Sequence, residues 1–261
     1  VTMDDLTNDE IVAILDDSER LVPVARGVVN LPLLEGKVLA NMFFENSTRT
    51  RMSFETAMKR LGGSVLNFSS VGTSVAKGET LYDTMQMIDG YADIAAIRHP
   101  RQGAAQYSAD AVEIPILNAG DGAGNHPTQT MLDLFTIRQS HGDLEGLNVV
   151  LVGDLRYGRT VHSLSHALVR FGASLTLVSP GTLRMPEEIV SDLRSQGSEV
   201  AETESLQEQI NLADVIYMTR IQKERFPDED EYAKVAGIFK LNSSDLSAAK
   251  KGMIVMHPLP R

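Results

Sequence analysis

The sequence predicts an α/β protein of two doubly wound domains, each a mainly parallel four- to five-stranded sheet flanked by helices. Three observations carry this. Short apolar runs at 38–44, 64–68, 94–97, 114–117, 147–152, 174–178, 215–218 and 253–256 alternate with segments whose apolar residues recur at helical spacing, the pattern of parallel strands joined by crossover helices. The eight runs divide four and four about a helical stretch from about Thr128 to Ser140, which ends at His141-Gly142-Asp143. The 261 residues suffice for one large core or two modest ones. The expected division is 1–127 for a first domain, 128–141 for an interdomain helix and 142–261 for a second domain.

Thr7-Asn8-Asp9-Glu10 has the pattern of a capping box, and the apolar period behind it predicts a first helix to about Leu21. Pro23, Gly27 and Pro32 break the following segment into a loop. The run 38–44 is apolar enough for a buried parallel strand, and residues 52–61 repeat their apolar positions as a helix does. Ser47, Thr48, Arg49 and Thr50 therefore fall at the turn between them, where backbone N–H groups lack intrahelical partners and the helix dipole favours negative charge. A Ser-Thr pair in such a place is by itself only an N-cap. Interleaved with Arg49 and Arg51 at the carboxyl end of a strand, these hydroxyls form a nest that fits a tetrahedral dianion, because open α/β sheets bind ligands at that edge.

Further along, Ser74, the flexible Lys77 and Gly78 precede a new helix; alone they read as a capped loop with a solvated lysine. Ile97-Arg98-His99-Pro100 ends a strand, so Arg98 stands at the same carboxyl edge, where an isolated arginine is commonly a surface ion pair. Gly124-Asn125-His126-Pro127-Thr128-Gln129-Thr130 follows a strand and opens a helix with Pro127 in its first turn. His126 alone reads as a hydrogen-bonding cap. No second histidine stands beside it at metal-ligand spacing, so no metal site is expected.

In the second half, Val152-Gly153-Asp154-Leu155-Arg156-Tyr157-Gly158-Arg159-Thr160 follows the first strand. It lacks Gly-x-Gly-x-x-Gly, and an arginine stands where a pyrophosphate requires small residues, which disfavours a nucleotide-binding oxidoreductase. Tyr217-Met218-Thr219-Arg220-Ile221-Gln222 places a second arginine after another strand, and two planar guanidinium forks on one domain suit a dicarboxylate. Residues 222–231 are strongly charged around Pro227 and read as a solvated loop. His257-Pro258-Leu259-Pro260-Arg261 makes an irregular turn after the last strand.

Ser47-Thr48-Arg49-Thr50-Arg51 resembles the carbamoyl-phosphate signature of the transcarbamoylases. The remaining motifs are similar to that family in order and context over nearly all of the chain, most closely to its aspartate branch. The resemblance implies transfer of a carbamoyl group from carbamoyl phosphate to the α-amine of L-aspartate, in pyrimidine synthesis, without a cofactor. It implies that Ser47, Thr48, Arg49, Ser74 and Lys77 hold the phosphate, that Thr50, Arg98 and His126 stabilise the developing oxyanion with Lys77 nearby, and that Gln129 helps to bind carbamoyl phosphate. Arg159, Arg220, Gln222 and Lys77 would take the aspartate, with backbone carbonyls of Leu259 and Pro260 accepting from its amino group. Glu45 is expected to pair with Arg159 and Arg225 across the domains when ligands close the cleft, and the charged loop from Gln222 to close over substrate.

The same resemblance implies a homotrimer, since the matching Ser74 and Lys77 reach a neighbouring subunit's site, and it allows regulatory chains. Family chains begin slightly before Val1 and continue past Arg261 into a helix that returns to the first domain, so the sequence is expected to be a fragment. An ornithine-type enzyme is the nearest alternative; its counterpart of the last motif commonly carries a cysteine, and this chain has none. An inert transcarbamoylase-like assembly domain would show losses among the site residues, and none is found.

A formal charge of −11 opposes nucleic-acid binding, so attraction for anionic substrates must come from local arginines, lysines and helix N-termini. No apolar run approaches the length of a membrane span, and the first residues are neither basic nor apolar enough to suggest export. A cytoplasmic location is expected.

Overall fold

The computed structural model describes residues 1–69, 73–122, 124–221, 232 and 237–259. They form two compact units, Val1–Thr128 and Gln129–Arg261. In the first, the helix α1 (Asn8–Arg20) starts on the expected capping box: the Thr7 hydroxyl accepts from the Glu10 N–H while the Glu10 carboxylate accepts from the Thr7 N–H. A short helix α2 (Val22–Ala25) follows. The strands β1 (Val38–Phe43), β2 (Ser64–Ser69), β3 (Ile94–His99) and β4 (Ile116–Asp121) then alternate with α3 (Thr48–Arg60), α4 (Leu81–Asp89) and α5 (Ala104–Ala111). All pairings are parallel and the strand order is β2-β1-β3-β4.

The two faces of this sheet are separated by side-chain alternation. Leu39 on β1 and Ala96 on β3 pack with Met58 of α3. Ala40 and Met42, with Ala95 and Ile97, pack on the opposite face against Met85 and Ile88 of α4 and Ala105 of α5. Both faces are therefore apolar, as a parallel sheet covered by helices requires. One inward residue of β1 is polar: the buried Asn41 amide donates to the Arg51 carbonyl of α3 and to the Asn67 side chain, each at 3.1 Å.

The helix α6 (Pro127–His141) leads into the second unit. There β5 (Asn148–Val152), β6 (Ser174–Val178), β7 (Val200–Thr203), β8 (Val215–Met218) and β9 (Ile254–Met256) form a parallel sheet ordered β7-β6-β5-β8-β9, with α7 (Arg159–Arg170) and α8 (Glu187–Ser195) among the connections. Val150, Val152, Val178 and Ile216 form one core cluster with Leu206, Ile210 and Ala213.

The strand β7 is absent from the sequence expectation because Val200-Ala201-Glu202-Thr203 offers no apolar run; it is an edge strand whose central Ala201 and Glu202 are exposed. The strand β4 begins after Pro115 and runs on through Asn118-Ala119-Gly120-Asp121, residues whose composition reads as a turn. No helix among the described residues is long and apolar enough to cross a membrane.

Candidate active site

Each sheet has one place where successive connections leave in opposite directions, and in an open α/β sheet the crevice outside the strand carboxyl ends at that place is where ligands bind. In the first unit it lies between β1 and β3, because β2 is on one side of β1 and β3 on the other. The register sets Phe43 against Arg98, and the Phe44 N–H donates to the Arg98 carbonyl at 2.8 Å. Four residues past Phe43, Ser47 has extended backbone and opens α3 as its N-cap, yet its side chain makes no capping hydrogen bond. The first N–H groups of α3 and the half-buried Ser47 hydroxyl therefore present donors at this edge, beside the half-buried Thr50 and the exposed Thr48 and Arg49.

Arg98 is the most constrained cation here. Its side chain is 13% exposed, its Nε lies 2.6 Å from the Glu45 carboxylate, and one terminal nitrogen donates to the Ala119 carbonyl at 3.2 Å. The same nitrogen lies 3.4 Å from Nε2 of the buried His126. The other ring nitrogen, Nδ1, lies 3.4 Å from the Thr128 hydroxyl. Gly120 makes this approach possible. Its φ is +116°, and a Cβ there would meet Arg98 Nη1 at 3.1 Å and the His126 ring at 3.3 Å.

Asp121, which in sequence reads only as a turn residue, holds the loop that carries His126. Its buried carboxylate accepts from the Gly103 N–H at 2.9 Å and from the Asn125 N–H at 2.6 Å, fixing the segment between β4 and α6 from both sides. Ser74 and Lys77 lie on a separate exposed 3₁₀ turn, Ser74–Lys77, closed by Gly78 in the left-handed region. Gln129, on the first turns of α6, donates its amide Nε2 to the buried Asp133 carboxylate at 3.1 Å.

In the second unit the corresponding place lies between β5 and β8, whose last residues Val152 and Met218 are register partners. Arg159 is the first residue of α7 and is half-buried; Arg220 follows β8 and is exposed. The two strand ends are tied together by Thr219, whose hydroxyl donates to the Val152 carbonyl and accepts from the Asp154 N–H, both at 2.9 Å. A Cβ on Gly153 would strike that hydroxyl at 2.5 Å. The turn leading to Arg159 is held by Asp154, which accepts from the Tyr157 N–H, and by His162, whose Nε2–H donates to the Leu155 carbonyl at 2.7 Å. Burial pushes the His162 pKa down, and the imidazole serves there as a neutral donor.

Leu259, beyond β9, has a φ of +56° and is the non-glycine residue of positive φ among those described. Its N–H donates to His257 Nδ1 at 2.8 Å. A branched side chain in the left-handed region costs on the order of 1 kcal/mol or more, a strain that tends to persist where a backbone group has been aimed for use. Gln222, Arg225, Pro260 and the charged segment from Gln222 lie outside the described residues. Glu45 is engaged with Arg98 inside the first unit; its expected pairing with Arg159 and Arg225 joins the two units and stays a proposal. Among the described residues no cluster of three or more His, Cys, Asp or Glu could hold a metal ion.

Comparison with known proteins matches the first part of the chain to the carbamoyl-P binding domain of aspartate/ornithine carbamoyltransferase, over residues 1–139, and the second to the Asp/Orn binding domain, over residues 145–261. The catalytic subunit of aspartate carbamoyltransferase from Methanothermobacter thermautotrophicus is 53% identical over 262 residues, covering all of this chain and 83% of the relative. The catalytic subunit of M. jannaschii aspartate transcarbamoylase superposes with a TM-score of 0.93 at 49% identity, covering all of this chain and 85% of that one. Aspartate transcarbamoylase from Trypanosoma cruzi, solved with carbamoyl phosphate and aspartate, superposes with a TM-score of 0.93 at 40% identity, covering all of this chain and 85% of that one.

Proposed function

We propose that this chain, which belongs to the aspartate/ornithine carbamoyltransferase family, transfers the carbamoyl group of carbamoyl phosphate to the α-amine of L-aspartate, giving N-carbamoyl-L-aspartate and phosphate for pyrimidine synthesis. The observation that carries the reading is the arrangement of donors at the two strand-end crevices. The first unit offers the α3 N-terminus, its hydroxyls and an Arg98 held by Glu45 and set beside the buried His126. The second offers Arg159 and Arg220 after paired strands. The aspartate relatives favour this over the ornithine alternative, and so do two guanidinium groups facing a dicarboxylate rather than a diamine.

The amine attacks the carbamoyl carbon, a C–N bond forms, negative charge grows on the carbonyl oxygen and the C–O bond to phosphate breaks. Thr50, Arg98 and His126 stabilise that oxygen; Ser47, Thr48, Arg49, Ser74 and Lys77 hold the phosphate, whose departing oxygen takes the amine proton. Preorganised donors aimed at developing charge are usually the largest catalytic contribution, and orientation of two bound substrates supplies much of the rest. Gln129 binds the carbamoyl end. Arg159, Arg220, Gln222 and Lys77 hold aspartate, with Leu259 and Pro260 offering carbonyls to its amine, while Glu45 bridges to Arg159 and Arg225 on closure. The domains follow the division 1–127, 128–141 and 142–261. The working form is a cytoplasmic homotrimer with Ser74 and Lys77 entering a neighbour's site.

N-phosphonacetyl-L-aspartate tests the reading, because it joins a phosphonate to an aspartate and so engages both sets of donors at once. Calorimetry is expected to give an affinity far above that of either substrate alone. Binding no tighter than carbamoyl phosphate would remove aspartate as the second substrate.

A further inference from the structure

The second unit contains a buried polar cluster that the scheme above does not use. Asp133 on α6 is 3% exposed and Tyr217 on β8 is fully buried. The Tyr217 hydroxyl donates to Asp133 Oδ2 at 2.8 Å, and the Gln129 amide Nε2 donates to Asp133 Oδ1 at 3.1 Å. A carboxylate with a donor on each oxygen is satisfied only while both neighbours present hydrogens to it. Gln129 sits one helical turn before Asp133, and the contact decides which end of its amide is turned inward. With Nε2 committed to Asp133 and the amide also beside the Tyr217 hydroxyl, the carbonyl oxygen Oε1 is the end assigned here to a ligand. An acceptor there suits an N–H, and it gives no hydrogen bond to a methyl group.

We propose that Asp133 is a positioning residue for specificity: through its bond to Gln129 it presents Oε1 as an acceptor for the NH₂ of a carbamoyl group, and so separates carbamoyl phosphate from acyl phosphates that lack that amine. The proposal rests on the reading that carbamoyl phosphate is the first substrate and adds to it the reason the amide faces the ligand with its oxygen. Burial pushes the Asp133 carboxyl up to about 7, against the effect of its two donors. The ionised form, which demands hydrogens from both neighbours, is thus populated above neutrality. The bond to Tyr217 anchors the far oxygen on β8, so that Asp133 cannot turn to satisfy Gln129 in another way.

The test compares carbamoyl phosphate with acetyl phosphate, which has the same phosphate and carbonyl but a methyl in place of the amine. Their affinities for the full chain are measured by calorimetry, and the ratio is the readout; a role confined to stability would weaken both ligands together and leave the ratio alone. In Asp133→Asn the Tyr217 hydroxyl claims the oxygen of the new side-chain amide, the NH₂ of that amide faces Gln129, and the Gln129 amide reverses. The preference for carbamoyl phosphate is expected to fall about tenfold, the value of one well-placed hydrogen bond, with acetyl phosphate changed by less than about twofold.

Asp133→Ala combined with Tyr217→Phe removes the carboxylate without orphaning the phenol, and the same fall is expected, which keeps the proposal testable if Asp133→Asn does not fold. Gln129→Ala should abolish the preference to a similar extent, and adding Asp133→Asn to it should change the ratio little further. A wild-type ratio in the folded Asp133 variants overturns the proposal while leaving the substrate assignment standing. Failure of the wild-type chain to bind carbamoyl phosphate at all overturns the substrate assignment, and this proposal with it.

Discussion

At the scale of single residues, the charged side chains sort by what they do when substrate is absent. Arg98 is already engaged with Glu45, Ala119 and the His126 ring, so its geometry is set within the fold; Arg49 and Lys77 are exposed and, in the proposed scheme, gain their order from the ligand. Asp133 is a carboxyl whose ionisation folding changes strongly within the ordinary pH range. Its carboxyl moves from 3.8 to about 7 because burial penalises the charged form. A raised carboxyl means that the folded chain keeps a proton the unfolded chain has lost. That contribution to stability is fully present below about pH 4 and disappears as pH rises through about 7. A shift of this size corresponds to an upper bound of roughly 4 kcal/mol. Asp133→Asn, with no proton to lose, is expected to flatten the decline between those limits, and urea titrations of both proteins across the interval check it. A parallel decline in the variant would place the linked proton elsewhere. Asp5 and Glu10 have lowered pKa values, from hydrogen bonds to the chain amine and to the Thr7 N–H respectively. Their contributions are lost as pH falls at the lower edge of this window, and His99 and His162, lowered by burial, titrate inside it with the opposite sign; all four are common to both proteins and cancel in the comparison.

At the scale of elements, what was legible in the sequence followed burial. The inner strands β1, β5 and β6 are predominantly apolar runs, and Ser47 to Thr50 fall at a helix start because a strand must end and a helix begin within a few residues. Edge strand β7 and the end of β4 are held by neighbours rather than by their own composition, and Asp133 lies within a helical pattern where a carboxylate is normally solvated. The spacing of Gln129 and Asp133, four apart on one helix face, was the available signal for that pair. Asp121 was hidden in a Gly-Asp-Gly turn whose residues are explained by turn chemistry alone.

A second device recurs in both units. Asp93 before β3 accepts the first N–H of β1 and the Lys37 ammonium, and Asp214 before β8 accepts the first N–H of β5 and the Lys250 ammonium. Each closes the amino edge of a sheet opposite its ligand edge. Asn41 acts between layers instead, tying α3 to β1 beneath the proposed phosphate site. Asn41→Ala is expected to cost about 1–3 kcal/mol in urea unfolding at an unchanged m-value, and to weaken carbamoyl-phosphate binding by loosening the angle of α3. A loss of stability with unchanged affinity would show that the α3 N-terminus is oriented by other contacts.

At the scale of the whole molecule, the phosphate site as proposed is incomplete in one chain: Arg49 opens α3, whereas Ser74 and Lys77 sit on an exposed turn assigned to a neighbour's site. In the proposed cyclic trimer each site takes groups from two chains. Arg49→Ala and Lys77→Ala proteins should each be nearly inactive, since each removes a cation from the bound phosphate, and their mixture should regain activity. In a head-to-tail ring of three, a site is intact when one chain supplies Arg49 and the next supplies Lys77. Random exchange of equal amounts yields mixed trimers about three-quarters of the time, and each contains one such interface, so roughly one site in four is restored. Refolding the two proteins together, against separately refolded controls, measures the recovery directly, and sedimentation verifies the assembly. Activity near a quarter of wild type places Lys77 in the neighbour's site. Verified mixed trimers with no more activity than the parents would place Lys77 in its own chain's site, and the ring would then have to be justified by contacts other than catalysis.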